Sequence, residues 1–237
     1  LTGEHIMKKR APRNRTLTCS ADELAVLKAE LLTLSKDVAV SELVNRVIHQ
    51  DMRTAVSHIP AQCMDLLVLD PPYNLTKNYN GHLFKEKDAA KYSTWFEEII
   101  DHLRPLLKTT ATLYVCSDWR TSNLIFPILK SRFRVRNRIT WERDKGRGSK
   151  SNWKNNTEDI WFCTVGDDYF FNVDAVKLKR RVLAPYRTHD GRPKDWAEAP
   201  DGQYRLTHPS NLWSDITIPF WSMPENTDHP TQKPEKL

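Results

Sequence analysis

The run Leu66-Leu-Val-Leu69 leads straight into Asp70-Pro-Pro-Tyr73-Asn74. A carboxylate at the end of a buried strand presents an acceptor in the crevice where α/β sheets bind ligands. Two prolines fix φ and donate no N–H, so the carbonyls of Pro71 and Pro72 are left to accept from a ligand. Tyr73 adds a flat face for stacking. Acceptors beside a ring suit a planar heterocycle with an exocyclic amine; a phosphate would need donors. The histidines His49, His58, His102 and His208 show no metal-ligand spacing, and no metal site is expected. Cys19, Cys63, Cys116 and Cys163 are far apart with no CxxC pair, which reads as reduced thiols.

The elements that must position Asp70 follow from periodicity. Ser20-Ala-Asp-Glu23 is a capping-box pattern, and Leu24, Leu27, Leu31 and Leu34 predict a helix over about 20–36. Arg46 to His49 reads as a short strand and residues 51–58 as a helical turn. Asp65 to Leu69 reads as a buried strand, 88–107 as a helix and 111–116 as another buried strand. Residues 121–131 read as a helix in spite of Pro127. Along 133–141, Phe133, Val135, Ile139 and Trp141 alternate with Arg134, Arg136 and Arg138, which predicts a half-exposed strand with an arginine face. Asp159 to Val165 is a further strand, with Tyr169 to Asn172 pairing back to it. Strands alternating with helices predict an α/β sheet with helices on both faces. From about residue 174 to 228 the period is lost in a loop-rich stretch of Pro, Trp, Arg and Lys.

The 237 residues suit one globular domain with an inserted subregion. No apolar run approaches the roughly 18 residues of a membrane span, and the basic N-terminus lacks the apolar stretch of a secretory signal. Net charge is +6. Residues 130–154, 176–196 and 1–15 together carry +17, leaving about −11 on the rest. Basic charge gathered into patches is the footprint of a polyanion, and nucleic acid is the favoured partner.

DPPYN after an apolar strand resembles the catalytic motif of the amino-methyltransferases that methylate adenine N6 or cytosine N4 in DNA. His229-Pro-Thr-Gln-Lys-Pro234 is similar to the segment opening the cofactor half in the β-group of these enzymes. Asn45-Arg-Val-Ile-His-Gln-Asp51 resembles the family's short strand ending in an acid near the cofactor adenine. The likeness covers about residues 44–237. It implies a Rossmann-like methyltransferase sheet, S-adenosylmethionine as methyl donor and duplex DNA as partner. Residues 1–43 would be an N-terminal arm and helix and 44–173 the catalytic half. Residues 174–228 would be a target-recognition region and 229–237 the start of the cofactor half.

By the same resemblance Asp70, Pro71, Pro72 and Tyr73 are the catalytic set. Asp51, Met52, Asp70, His229, Thr231, Lys233 and Pro234 are the cofactor contacts. Asn74, Arg134, Arg136, Arg138, Lys145, Arg147, Lys150, Lys154, Lys179, Arg180 and Arg181 are the DNA contacts. The acid of DPPY favours adenine, with N4-cytosine methylation as the alternative and a catalytically incomplete DNA-binding subunit as another. A homodimer and a cognate restriction endonuclease are further partners the family allows, in a bacterial cytoplasm. The β-group continues after HPTQKP with an F-x-G-x-G loop around the cofactor. None of the seven glycines lies in such a loop, and the expectation is a chain lacking most of the cofactor half.

Overall fold

The computed structural model describes residues 11–14, 18–79, 81–143, 150–227, 229 and 231–237. The chain divides into two compact units, 1–169 with 212–237, and 170–211.

The first unit begins with α1 (Ala21–Ala29), α2 (Val40–Leu43) and α3 (Met52–Ala55). The strand β1 (Met64–Leu69), the hairpin β2 (Lys77–Tyr79) and β3 (His82–Phe84), and α4 (Ala89–Leu103) follow. Then come β4 (Leu107–Ser117), α5 (Trp119–Arg132), β5 (Arg134–Glu142) and β6 (Thr157–Thr164). In the second unit, β7 (Leu178–Arg181), β8 (Ala197–Ala199) and β9 (Gly202–Thr207) make an antiparallel sheet in the order β7-β9-β8. The chain returns to the first unit with β10 (Leu212–Trp213).

The main sheet has the order β1-β4-β6-β5-β10. β1 is parallel to β4 and β10 to β5, while β6 runs antiparallel to both its neighbours. The long helices bury one stripe each on one face. Tyr92, Phe96 and Ile100 of α4 and Ile125 and Leu129 of α5 pack on Leu113, Val115, Trp161 and Cys163. The opposite face, with Cys116, Ile139, Trp141, Ile160 and Phe162, is covered by Ile216 and Ile218 of the extended segment after β10. Burial alone pushes the Cys163 thiol up to about 12; Cys116 is buried as well, whereas Cys19 is exposed.

Several local expectations are corrected. The first helix stops at Ala29 and buries none of its residues. Its capping box is present, but residues beyond it are drawn into extended pairing. Leu32 bridges Ile48, and the Gln50 side chain holds both main-chain groups of Leu34. β1 is an edge strand, with Leu67 and Leu69 packed inward but Leu66 and Val68 56% and 64% exposed. A continuous apolar run cannot reveal which face is covered. Residues 169–172 form no strand; the Tyr169 ring stands edge-on to Phe162. Residues 212–227 belong to the first unit.

The arginine strand is also rephased. The β5–β6 register slips between Val135 and Asn137, and one extra residue there moves every later side chain to the other face. Phe133 and Val135 therefore pack beside α4 and α5, while Ile139 and Trp141 enter the opposite core.

Candidate active site

Sheet register gathers the chemistry at one edge. β1 ends at Leu69, β4 at Ser117 and β5 at Glu142, while the antiparallel β6 begins at Thr157. Ser117 is opposite Asp159, and Trp141 opposite Glu158. Asp70, Asp118, Arg143 and Glu158 thus meet at the carboxyl ends of the parallel strands. They line a cavity of about 650 Å³, walled also by Pro71, Pro72, Tyr73, Tyr79, Trp141, His229, Thr231 and Lys233.

The DPPY turn is held from below. Tyr92 of α4 donates its hydroxyl to the Pro72 carbonyl at 2.8 Å. Among the described residues none donates to the carbonyl of Pro71, a buried residue that lines the cavity. Asn74 clamps the base of the β2–β3 hairpin. Its amide exchanges two 2.8 Å bonds with the main chain of Lys87, and its N–H donates to Thr121 Oγ1 at 3.0 Å. Asp118 caps α5 through the N–H groups of Arg120 and Thr121. Trp141 is fixed by its indole N–H donating to the Ile216 carbonyl at 2.7 Å.

Four charged groups and a phenol form one network. Lys233 Nζ lies 2.9 Å from Glu158 Oε2 and 3.3 Å from Asp70 Oδ1, and donates to the Tyr73 hydroxyl at 2.9 Å. Tyr73 donates to Glu158 Oε2 at 2.8 Å, and Arg143 Nη1 reaches Glu158 Oε1 at 2.6 Å. Burial pushes the Tyr73 phenol far above its ordinary value, and the Glu158 and Asp70 carboxylates add to the rise. At Lys233 burial opposes the charge, but Glu158 and Asp70 outweigh it and hold the ammonium above the usual lysine value. Burial, with Asp70 second, raises the nearby Cys116 thiol to about 12, so it is no nucleophile near neutrality.

Of the residues expected from sequence, the structure brings Asp70, Pro71, Pro72, Tyr73, His229, Thr231 and Lys233 together. Pro234 is buried and does not line the cavity. Asp51 and Met52 stand outside it: Asp51 caps α3 and pairs with Arg53, and Met52 packs on Ile99, Leu103 and Leu106. Arg134 and Arg136 both pair with Asp167, and Arg138 lies 3.6 Å from Asp159. Lys150 and Lys154 are exposed, whereas Lys145 and Arg147 fall outside the described residues. Lys179, Arg180 and Arg181 are exposed on β7 of the second unit, with Lys179 over the Tyr204 ring at 4.2 Å.

Sequence reading missed Glu158, Arg143, Asp118 and Tyr79. The signal for Glu158 was an acid opening an otherwise apolar strand, akin to the acid that closes one at Asp70. It was hidden because the antiparallel direction of β6 was not foreseen.

The chain matches the model of a family described as DNA methylase, of the N6/N4 type, over residues 64–237. It is 30% identical over 200 residues to the DNA adenine methyltransferase YhdJ of Escherichia coli strain K12, covering 81% of this chain and 64% of that protein. It is 24% identical over 207 residues to the type II methyltransferase M.BglII of Bacillus subtilis, covering 81% and 54%. The chain thus spans less than two thirds of the length of these relatives. Its fold is similar to that of the PvuII DNA methyltransferase, described as cytosine-N4-specific, with a TM-score of 0.55 and 14% identity. That match covers 80% of this chain and 66% of the other.

Proposed function

The chain belongs to the N6/N4 DNA methylase family, and on that premise we propose that it serves methyl transfer from S-adenosylmethionine to the N6 amine of adenine in duplex DNA. The observation that carries the proposal is Asp70 beside Pro71, whose carbonyl has no donor among the described residues, in a cavity with the aromatic walls Tyr73, Tyr79 and Trp141. The base preference rests on the acid of DPPY and on the adenine-methylating relative.

The cavity suits the proposed cofactor chemically. The Asp70 and Asp118 carboxylates complement a sulfonium cation, and the aromatic walls suit an adenine ring. His229, Thr231 and Lys233 would hold it; Asp51 and Met52, outside the cavity, add no support. When bound, S-adenosylmethionine supplies an electrophilic methyl group.

The chain's own residues would prepare the nucleophile. An exocyclic amine is weakly nucleophilic because its lone pair is delocalised into the ring. Asp70 and the Pro71 carbonyl would accept its two hydrogens, drawing the nitrogen toward tetrahedral geometry and freeing the lone pair. Asp70 is placed to take the proton that the methylated amine must lose. Orientation supplies much of the acceleration. A target hidden in a duplex must be flipped out, and Tyr73 offers the ring on which it stacks, an interaction of about 1–3 kcal/mol. Lys150 and Lys154 in the first unit and Lys179, Arg180 and Arg181 in the second would hold phosphates. Arg134, Arg136 and Asn74 are engaged internally and are weaker candidates. A cognate restriction endonuclease is the partner that the type II relatives suggest.

The test is incubation with labelled S-adenosylmethionine and unmethylated mixed-sequence DNA, followed by digestion to nucleosides. Labelled N6-methyladenine is expected. Labelled N4-methylcytosine would move the target to cytosine, and DNA binding without label would favour a binding subunit.

A further inference from the structure

Glu158 is buried, with 7% of its side chain exposed, and no part of the proposed chemistry uses it to act on the amine. Three donors converge on its carboxylate: Tyr73 and Lys233 share Oε2, and Arg143 takes Oε1. Lys233 is itself largely enclosed, with 22% of its side chain exposed. The second carboxylate beside it is Asp70, at the longer distance of 3.3 Å. A buried carboxylate is retained at this cost only where donors satisfy it, and here both of its oxygens are engaged.

The consequence concerns Asp70. An enclosed ammonium needs an anion, and the nearer of its two is Glu158. Without the Glu158 charge, Lys233 would be left with Asp70 as its one carboxylate, and the present 3.3 Å pair would tighten on the oxygen that must receive the substrate amine. The same Glu158 oxygen fixes the Tyr73 hydroxyl, hence the plane of the stacking ring.

We propose that Glu158 is a positioning residue for methyl transfer: it neutralises Lys233 and pins Tyr73, so that the Asp70 carboxylate faces the substrate amine. The inference rests on the methylation reading above. The groups facing Lys233 are Asp70, Tyr73, Tyr79, Cys116 and Glu158, with Arg143 on the far oxygen of Glu158. Removing the Glu158 charge leaves burial opposing the ammonium, with Asp70 the main group left to support it. The Lys233 amine should then deprotonate at lower pH.

Two measurements on the full chain test this. In the first, an amine-acylating reagent is applied at pH 8.5 without cofactor or DNA, and peptides are quantified by mass spectrometry, with exposed Lys154 as internal reference. Lys233 should acylate at least about tenfold faster in Glu158→Gln than in the wild type, one pKa unit being tenfold in free amine. Glu158→Asp, which keeps the charge, should stay near wild type. An unchanged near-UV circular dichroism spectrum verifies that the Gln variant is folded, and if it is not, the Asp variant is compared alone. The second is methyl transfer. Glu158→Gln should lower kcat by about 10²-fold with little change in DNA affinity, and Glu158→Asp should recover most of it. Wild-type Lys233 reactivity in folded Glu158→Gln, or an unchanged kcat, would overturn the inference. A wild-type chain that transfers no methyl would instead count against the methylation reading, and the acylation measurement still decides whether Glu158 governs Lys233.

Discussion

At the scale of residues, the site is a balanced set of carboxylates and cations around a phenol. Lys233 is its most titratable probe. Its folded-state value is raised, so its ion pairs contribute in full below the ordinary lysine value of roughly 10.4 and are lost as pH rises through the higher folded value. The stability difference between wild type and Lys233→Met should therefore stay flat from about pH 7 to 10 and shrink above it, as read by chemical denaturation. Tyr92→Phe removes the bond to Pro72 and should cost about 0.5–1.5 kcal/mol in the same assay. At this scale the sequence was most legible. Tyr73 and Lys233 are 160 residues apart; Asp70 and Tyr73 belong to a motif whose chemistry can be read without a fold, whereas His229 and Lys233 are singled out by family resemblance alone. Glu158 lies in the stretch Thr157 to Phe162, which resembles a later strand of the family but carries no readable role, and Arg143 lies in no motif; both meet the site only through strand pairing.

At the scale of elements, the legible parts were those with strong periodicity. Helix α4 and strands β4 and β6 stand close to where apolar spacing puts them, because each buries a continuous stripe. Helix α5 even passes through Pro127, which lies on its exposed side. A proline inside a helix costs about 3 kcal/mol, and burial of Ile125, Ile128 and Leu129 offsets it. The misreadings share one cause. The end of α1, the phase change in β5 and the edge position of β1 are decided by distant partners, not by local pattern. Asp118→Ala should lower stability by roughly 0.5–2 kcal/mol through loss of the α5 cap. Phe96→Ala, at a fully buried position between helix and sheet, should cost about 3–5 kcal/mol. Thermal or denaturant unfolding distinguishes the two magnitudes.

At the scale of the whole molecule, each of the two units carries exposed cations. The cavity belongs to the 1–169 and 212–237 unit, while the short sheet of 170–211 carries the exposed cations of β7. Lys179→Ala and Arg181→Ala should weaken DNA binding and reduce the slope of log affinity against log salt by roughly 0.9 for each phosphate no longer neutralised. Their effect on a single-turnover rate with saturating DNA should be small. The basic composition is the footprint of a polyanion, while the division into two units was legible only as a loss of periodicity near residue 174. The central claim, that Asp70 is the group acting on the amine, is tested most directly by Asp70→Ala in single-turnover methyl transfer with DNA affinity measured alongside. Transfer should fall by about 10²-fold or more while DNA binding is kept. Transfer at the wild-type rate would contradict the claim and move the chemistry away from the DPPY turn.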